Sequence, residues 1–385
     1  MAIVDCVVEV DSPGAQAVMK VILGDDSEAG GSRRVDRAAM EGMLAAVSAS
    51  GAPTHQLPGG SAANVLRALA ALGERGRIIG CRGDDADGDL FSAWVSRAGI
   101  EQSALTPIPG TQTGSCLVLN QGRLRTMRTC FDGCARLDPA AVRAAPLGAA
   151  CQWLFCAGYC LYVPGLLEAA LEAAQAQGKR VALDLGSFEI VRAHHAALLG
   201  LFRRRLVDVV VCNEDEALAF LDGLAGAGDA GTVPGAPGAG GAGAGEHRPV
   251  LHAAAGSGGD DVAAMEEGAS GSMRDAVRAC HELSRRVGTA VVTLGAAGCV
   301  AVATDVGTGE VTQRARVDAC PVGRVVDTTG AGDAFSAGLL KGLLEGKSLA
   351  DSARVGCAAG GACVMAVGAR LSEEGLDRVA EALAG

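Results

Sequence analysis

From Trp153 onward the chain alternates short apolar runs with longer amphipathic stretches. The runs at 153–157, 180–185, 207–212 and 290–294 have the length of strands. The stretches at 164–177, 194–204, 214–221 and 274–287 carry helical patterning. Strands alternating with helices of this length predict a parallel sheet with right-handed crossovers. Further on, the pattern predicts a turn at 295–298, a strand at 299–303, a helix at 334–344 and a small-residue helix at 349–365. The N-terminal part is less regular. Val4–Val10 reads as a strand interrupted by Asp5, 37–47 and 65–72 as helices, 77–80 as a strand and 90–97 as a helix. Segments 114–119 and 124–130 flank an Asn120–Gly122 turn and predict a hairpin. The expected fold class is α/β: a three-layer, Rossmann-like arrangement with a mostly parallel central sheet and a small β lid built from about 18–57 and 114–130.

Between about 223 and 271 the composition changes to Gly, Ala, Pro and Ser. Such a tract buries too little apolar surface to offset its ordering entropy. Because the strand–helix rhythm resumes after it, it is expected to be a disordered surface insertion within one domain spanning 1–385. With aromatics at 3%, the core must be filled mainly by Val, Leu, Ile and Ala, as in strands covered on both faces.

The 33 basic against 44 acidic residues give a net charge of −11, which argues against a general nucleic-acid binder. Fourteen cysteines lie scattered in apolar runs without CxxC pairs, so they read as core thiols in a reducing compartment, either cytosol or organelle stroma. No apolar run is long enough to span a bilayer, so the chain reads as soluble. Its opening residues lack the Arg/Ser-rich character of a transit peptide. They begin in the middle of folded-looking sequence, and a longer natural N-terminus is expected.

The segment with the clearest chemistry is Val326-Asp327-Thr328-Thr329-Gly330-Ala331-Gly332-Asp333-Ala334-Phe335. The amides of Gly330, Ala331 and Gly332 can converge at a helix N-terminus, where the dipole and unsatisfied N–H groups favour an anion. Asp333, in the first turn, can take a hydroxyl proton. Alcohol phosphorylation needs this pairing of a base for the nucleophile with fixed donors for the phosphoryl group. Taken alone, Gly-Ala-Gly-Asp also fits a tight turn with an N-capping Asp. No GxxxxGK[ST] is present, which excludes a P-loop enzyme, and no GxGxxG follows the first strand, which disfavours a dinucleotide-dependent oxidoreductase.

Over its full length this segment resembles the C-terminal signature of the ribokinase-like (PfkB-type) kinases. Gly59-Gly60-Ser61-Ala62-Ala63-Asn64 resembles the N-terminal signature, Asn213-Glu214-Asp215-Glu216 the N-x-x-E motif, and Thr293-Leu294-Gly295-Ala296-Ala297-Gly298 the nucleotide-side turn. The adenosine-kinase-like branch is suggested by 123–127 and by Leu183-Asp-Leu-Gly-Ser-Phe-Glu189. The resemblance implies ATP and Mg²⁺ as cofactors, with a monovalent cation beside Asp327 or a structural role for that residue. It implies an acceptor held by Asp5, Gly59, Gly60 and Asn64, and a nucleotide held near Asn213, Thr293, Gly295, Gly298 and Thr328. It further implies Mg²⁺ reached by Glu216 through water, and Asp333 as base beside the Gly330–Gly332 anion hole. Arg125 is either a substrate contact from the lid or a solvated cation. The resemblance allows a homodimer through the lid, with a small sugar or nucleoside as partner. The apolar-Gly run usual before Asp5 is absent, and no aromatic lies between 11 and 57 to stack a base, which adds weight to a sugar or polyol. The alternative is a catalytically silent binding protein of the same fold.

Overall fold

The structure, a computed structural model, describes residues 2–9, 22, 32–121, 124–131, 133–134, 136–226 and 271–385. The first part of the chain forms β1 (Ile3–Glu9), β2 (Ser32–Val35), α1 (Arg37–Ser50), β3 (Thr54–Gly59) and α2 (Ser61–Ala71). There follow β4 (Arg77–Gly83), α3 (Ala86–Arg97), β5 (Glu101–Ile108), β6 (Gly114–Gln121), β7 (Leu124–Cys130) and α4 (Pro139–Ala144). The regular part runs through β8 (Trp153–Ala157), a 3₁₀ turn (Gly158–Tyr162), α5 (Leu166–Ala176), β9 (Arg180–Asp184), α6 (Phe188–Arg203), β10 (Val209–Asn213) and α7 (Glu214–Gly226). The chain ends with α8 (Gly271–Val287), β11 (Thr289–Thr293), β12 (Cys299–Thr304), β13 (Val311–Val317), α9 (Ala331–Leu344), α10 (Leu349–Val364) and α11 (Glu373–Ala384).

The central sheet has the order β13-β12-β11-β10-β9-β8, with β8 to β11 parallel and β12 and β13 antiparallel. Its strands are buried on both faces. Val210, Cys212, Ala290 and Val292 face the core of α5 to α8, and Val209, Val211 and Val291 face α2, α9 and α10. This period-two division of apolar strands between two helical layers makes the α/β/α sandwich that the rhythm of the sequence predicts.

A second sheet of five strands, in the order β2-β7-β6-β1-β3, includes the first strand of the chain. One face packs on α1 through Val8, Met40, Val47, Leu117 and Leu119. The other carries Val7, Cys116 and Val118. β4 and β5 form a separate parallel pair. All fourteen cysteines are free thiols, ten of them buried. Among the described residues no helix is long and apolar enough to cross a membrane. Of the Gly/Ala-rich tract expected at about 223–271, residues 223–226 lie in α7. Residues 227–270 lie outside those described.

Candidate active site

Six helices whose caps are described are closed by a side chain: Asp36, Asp85, Asp138, Ser187, Ser348 and Ser372 each accept from a first-turn amide. Two helices without such a cap, α2 with Gly60 at its N-cap and α9 with Gly330, meet at one cleft. Gly330 has φ +75° and a Cβ there would overlap Ala369, so only glycine turns the chain into α9. On the Cβ side of Gly332 there is no atom within 4 Å. The Ala331 N–H donates to the Thr328 carbonyl at 3.2 Å, and the start of α9 beside Gly332 faces open space, where the helix dipole favours an anion.

Asp333 stands in the first turn of α9, and its Oδ2 accepts a hydrogen bond of 2.8 Å from Asn64 Nδ2 on α2. The two signatures, 269 residues apart, thus join through one bond. Asn64 is buried, and its Oδ1 has no hydrogen-bond partner. Asp5 on β1 lies so close to Gly59 that a Cβ at 59 would overlap its carboxylate. Glycine at 59 leaves the room that places Asp5 on the cleft beside Gly60.

The parallel strands supply the opposite wall. Asp184, Asn213 and Thr293 stand at the C-terminal ends of β9, β10 and β11 and line the cleft with Gly295 and Thr328. Strand ends of this kind are where open α/β sheets bind ligands. Asn213 and Glu216 form a reciprocal cap. Glu216 Oε1 accepts from Asn213 Nδ2 at 2.7 Å and Oε2 from its backbone N–H at 3.1 Å, while Asn213 Oδ1 accepts from the Glu216 N–H at 2.9 Å. The N-x-x-E motif is thus also a structural device. Burial, with Asp184 nearby, raises the Glu216 pKa.

Not every residue singled out in the sequence lines the cleft. Gly298 closes the 295–298 turn, its carbonyl accepting from the Leu294 N–H at 2.8 Å, and a Cβ there would overlap Val317 O. Its placement is structural. Asp327 is buried, with Oδ1 accepting from Thr329 N–H and Oγ1 and Oδ2 from Gly368 N–H, so it staples the loop before Gly330 to the segment after α10. The Arg125 side chain lies outside the described residues; its backbone is in β7.

Asp184 was missed as a site residue, although it sits in a segment quoted for its resemblance. The signal available was an acidic residue ending an apolar strand. Its carboxyl is pushed up to about 7 by burial and by the negative charge of Asp333, against the lowering effect of the Gly186 N–H. A folded-state pKa above the ordinary value favours folding at low pH, and the advantage disappears as pH rises through about 7. Asp184→Asn is therefore expected to raise Tm at pH 8 more than at pH 5, while impairing turnover. Thermal melts at the two pH values check this, and an equal shift at both refutes it. The cleft also gathers Phe131, Tyr159, Tyr162 and Arg34, none of them marked in the sequence. Ring centroids are 5.6 Å apart for Phe131–Tyr162 and 6.2 Å for Tyr159–Tyr162, and Arg34 lies over Phe131 at 6.0 Å.

A cavity of about 770 Å³ joins Asp5, Asn64 and Asp333 with the strand-end groups Asp184, Asn213 and Thr293. Its uncapped helix starts, first-turn carboxylate and strand-end oxygen donors suit phosphoryl transfer between small molecules, and the class is that of the α/β phosphotransferases. The chain belongs to the pfkB family of carbohydrate kinases, matching it over residues 34–230 and 260–375. It is 28% identical over 306 residues to an adenosine kinase of Schizophyllum commune, covering 77% of this chain and 76% of that enzyme. The adenosine kinase structure from Sinorhizobium meliloti is similar with TM-score 0.71 at 25% identity, covering 99% of this chain and 97% of that one. A probable sugar kinase from Rhizobium etli CFN 42 shares the fold with TM-score 0.72 at 22% identity, covering 99% and 96%. Membership implies ATP and Mg²⁺. Asp184 and Glu216 are hard oxygen donors on the cleft wall, and they fit an ion that takes one or two carboxylates and completes its shell with phosphate oxygens and water.

Proposed function

We propose that this kinase phosphorylates a hydroxyl of a nucleoside, with Asp333 as the general base. The observation that carries the reading is the Asn64–Asp333 bond, which sets the base at the junction of the acceptor signature and the anion hole. Asp5, Gly60 and the unpartnered Oδ1 of Asn64 hold the acceptor hydroxyls. Asp333 takes the proton of the reacting hydroxyl. The N–H groups at Gly330–Gly332 bind the transferring phosphoryl, where fixed donors act without reorganisation. Asn213, Thr293, Gly295 and Thr328 line the nucleotide side, and Asp184 and Glu216 would hold Mg²⁺, Glu216 through water, which would supply charge neutralisation for the phosphates. The five-stranded sheet serves as the lid, its Cys116, Met127 and Thr129 facing the acceptor.

The nucleoside reading draws on Phe131, Tyr159 and Tyr162. The lack of aromatics between 11 and 57 favoured a sugar, but these rings come from β7's end and from the 3₁₀ turn after β8. They offer a planar base a stacking wall. Tyr162→Ala is expected to raise KM for nucleosides about tenfold, from a loss of about 1–3 kcal/mol of stacking, with KM for polyols unchanged. Steady-state kinetics on both acceptor classes decide this, and equal changes count against it.

The direct test is ATP consumption over sugars, polyols and nucleosides, with Asp333→Asn as the blank. Turnover of polyols but not nucleosides overturns the acceptor class. No turnover with any acceptor favours the silent binding protein.

A further inference from the structure

Several buried thiols of this chain donate to main-chain carbonyls, as Cys280 does to Ala290 and Cys363 to Thr329, both at 3.3 Å. Cys299 and Cys357 instead meet each other. Their sulfurs lie 3.8 Å apart, both buried in the core that the sheet shares with α9 and α10. A disulfide holds its sulfurs at about 2.0 Å, so a short approach would join them. The Cys299 thiol donates to Cys357 and holds the Cys357 pKa below its ordinary value, against the effect of burial. The same bond, with burial, pushes Cys299 up. The two thiols are thus unlike: Cys357 is the readier nucleophile, and Cys299 keeps its proton.

Neither side of the pair has slack. Cys299 opens β12, where it is paired on both sides, with Thr293 of β11 and Val317 of β13. The preceding Gly298 is pressed so close that a Cβ there would overlap the Val317 carbonyl oxygen. Closure of the sulfurs must therefore draw α10 toward the sheet. α10 is itself packed tightly on α9. A Cβ at Gly338 would stand 2.5 Å from the Val355 carbonyl oxygen, and one at Gly356 would stand 2.9 Å from the Phe335 ring. Helices in such contact do not shift singly. The movement passes to α9, whose first turn holds Asp333 against Asn64.

We propose that Cys299 and Cys357 form a peroxide-sensitive pair whose disulfide reversibly switches the kinase off. Cys357, as the thiolate, attacks one oxygen of hydrogen peroxide. An S–O bond forms, the O–O bond breaks, and the hydroxide released takes up the proton that the thiol gave to solvent, leaving as water. The Cys299 sulfur then attacks the sulfenic sulfur of Cys357. The S–S bond forms, the S–O bond breaks, and the Cys299 proton leaves with that oxygen as a second water. Two thiols lose two electrons, and one peroxide gains them. A dithiol reverses the change by exchange. Cys357 is 7% exposed, an opening that suits an oxidant little larger than water and not a protein disulfide. The inference needs only that the chain is a kinase, not which acceptor it takes.

The test treats the full chain with excess hydrogen peroxide, removes it with catalase, and measures mass, peptide map and kcat. The expected result is a loss of two hydrogens, a linked pair of peptides carrying 299 and 357, and a fall in kcat of about tenfold or more. Misplacing a catalytic group by about 1 Å can cost about 10²-fold. Dithiothreitol should restore both thiols and the rate. Cys357→Ala should keep the parent's kcat before treatment and lose none of it afterwards. If that variant fails to fold, the map and the dithiothreitol reversal of the parent decide. If no acceptor is turned over, amide exchange at 331–336 replaces kcat, and the linked form should exchange there about tenfold faster. No 299–357 link after peroxide, an unchanged rate (or exchange) in the linked protein, or equal inactivation of Cys357→Ala overturns the proposal.

Discussion

Asp333→Asn is expected to lower kcat by about 10³-fold while leaving the affinity for ATP within about twofold, the scale for removing a positioned general base. The amide is nearly isosteric with the carboxylate and can keep company with Asn64, but it cannot take a proton from the acceptor. The start of α9 keeps its N–H groups, since the backbone there is set by Gly330 and not by residue 333. Binding and chemistry should therefore separate, with a large fall in kcat and a small change in nucleotide Kd. Isothermal titration with an ATP analogue, beside single-turnover kinetics, measures both. A kcat within tenfold of the parent removes Asp333 from the role of base.

Gly330→Val and Gly332→Ala should fail in opposite ways. At 330 the new side chain must occupy φ +75° and the space of Ala369. Left-handed strain of about 1–3 kcal/mol and overpacking of about 1–3 kcal/mol give an expected loss of about 2–6 kcal/mol, read by urea denaturation. At 332 there is open space, so Ala should leave the unfolding midpoint near the parent value. Its methyl group instead narrows the room for the transferring phosphoryl, so kcat/KM for ATP should fall by about tenfold or more. A stable, active Gly330→Val protein would show that the turn tolerates another path. A fully active Gly332→Ala protein would show that the phosphoryl group lies elsewhere.

The cleft was legible in the sequence wherever its chemistry is local. Gly330, Ala331, Gly332 and Asp333 lie in one loop-to-helix turn, and Asn213–Glu216 closes within one helical turn. Asp184 was harder to read, because its role comes from neighbours on other elements: burial in the cleft and the charge of Asp333. The aromatic wall went unseen for the same reason, with Phe131 following β7 and Tyr159 and Tyr162 lying in a turn after β8. Gly298 was read from its place in the nucleotide-side turn, and the fold adds that its main chain is pressed against Val317.

The same division runs through the fold. Strands buried on both faces announce themselves as apolar runs, so β8 to β12 and the helices between them could be read before any coordinates. β5, with sequence EQSALTPI, and β13, with sequence VTQRARV, were overlooked because their apolar content is diluted by polar residues. The amphipathic α11 lay beyond the last motif and also went unremarked. Local patterning says that a segment is a strand, but not which strand it will pair with, since hydrogen-bond partners are chosen by packing across long separations. So it took the folded chain to place β1 in the five-stranded sheet and to bring Asn64 against Asp333.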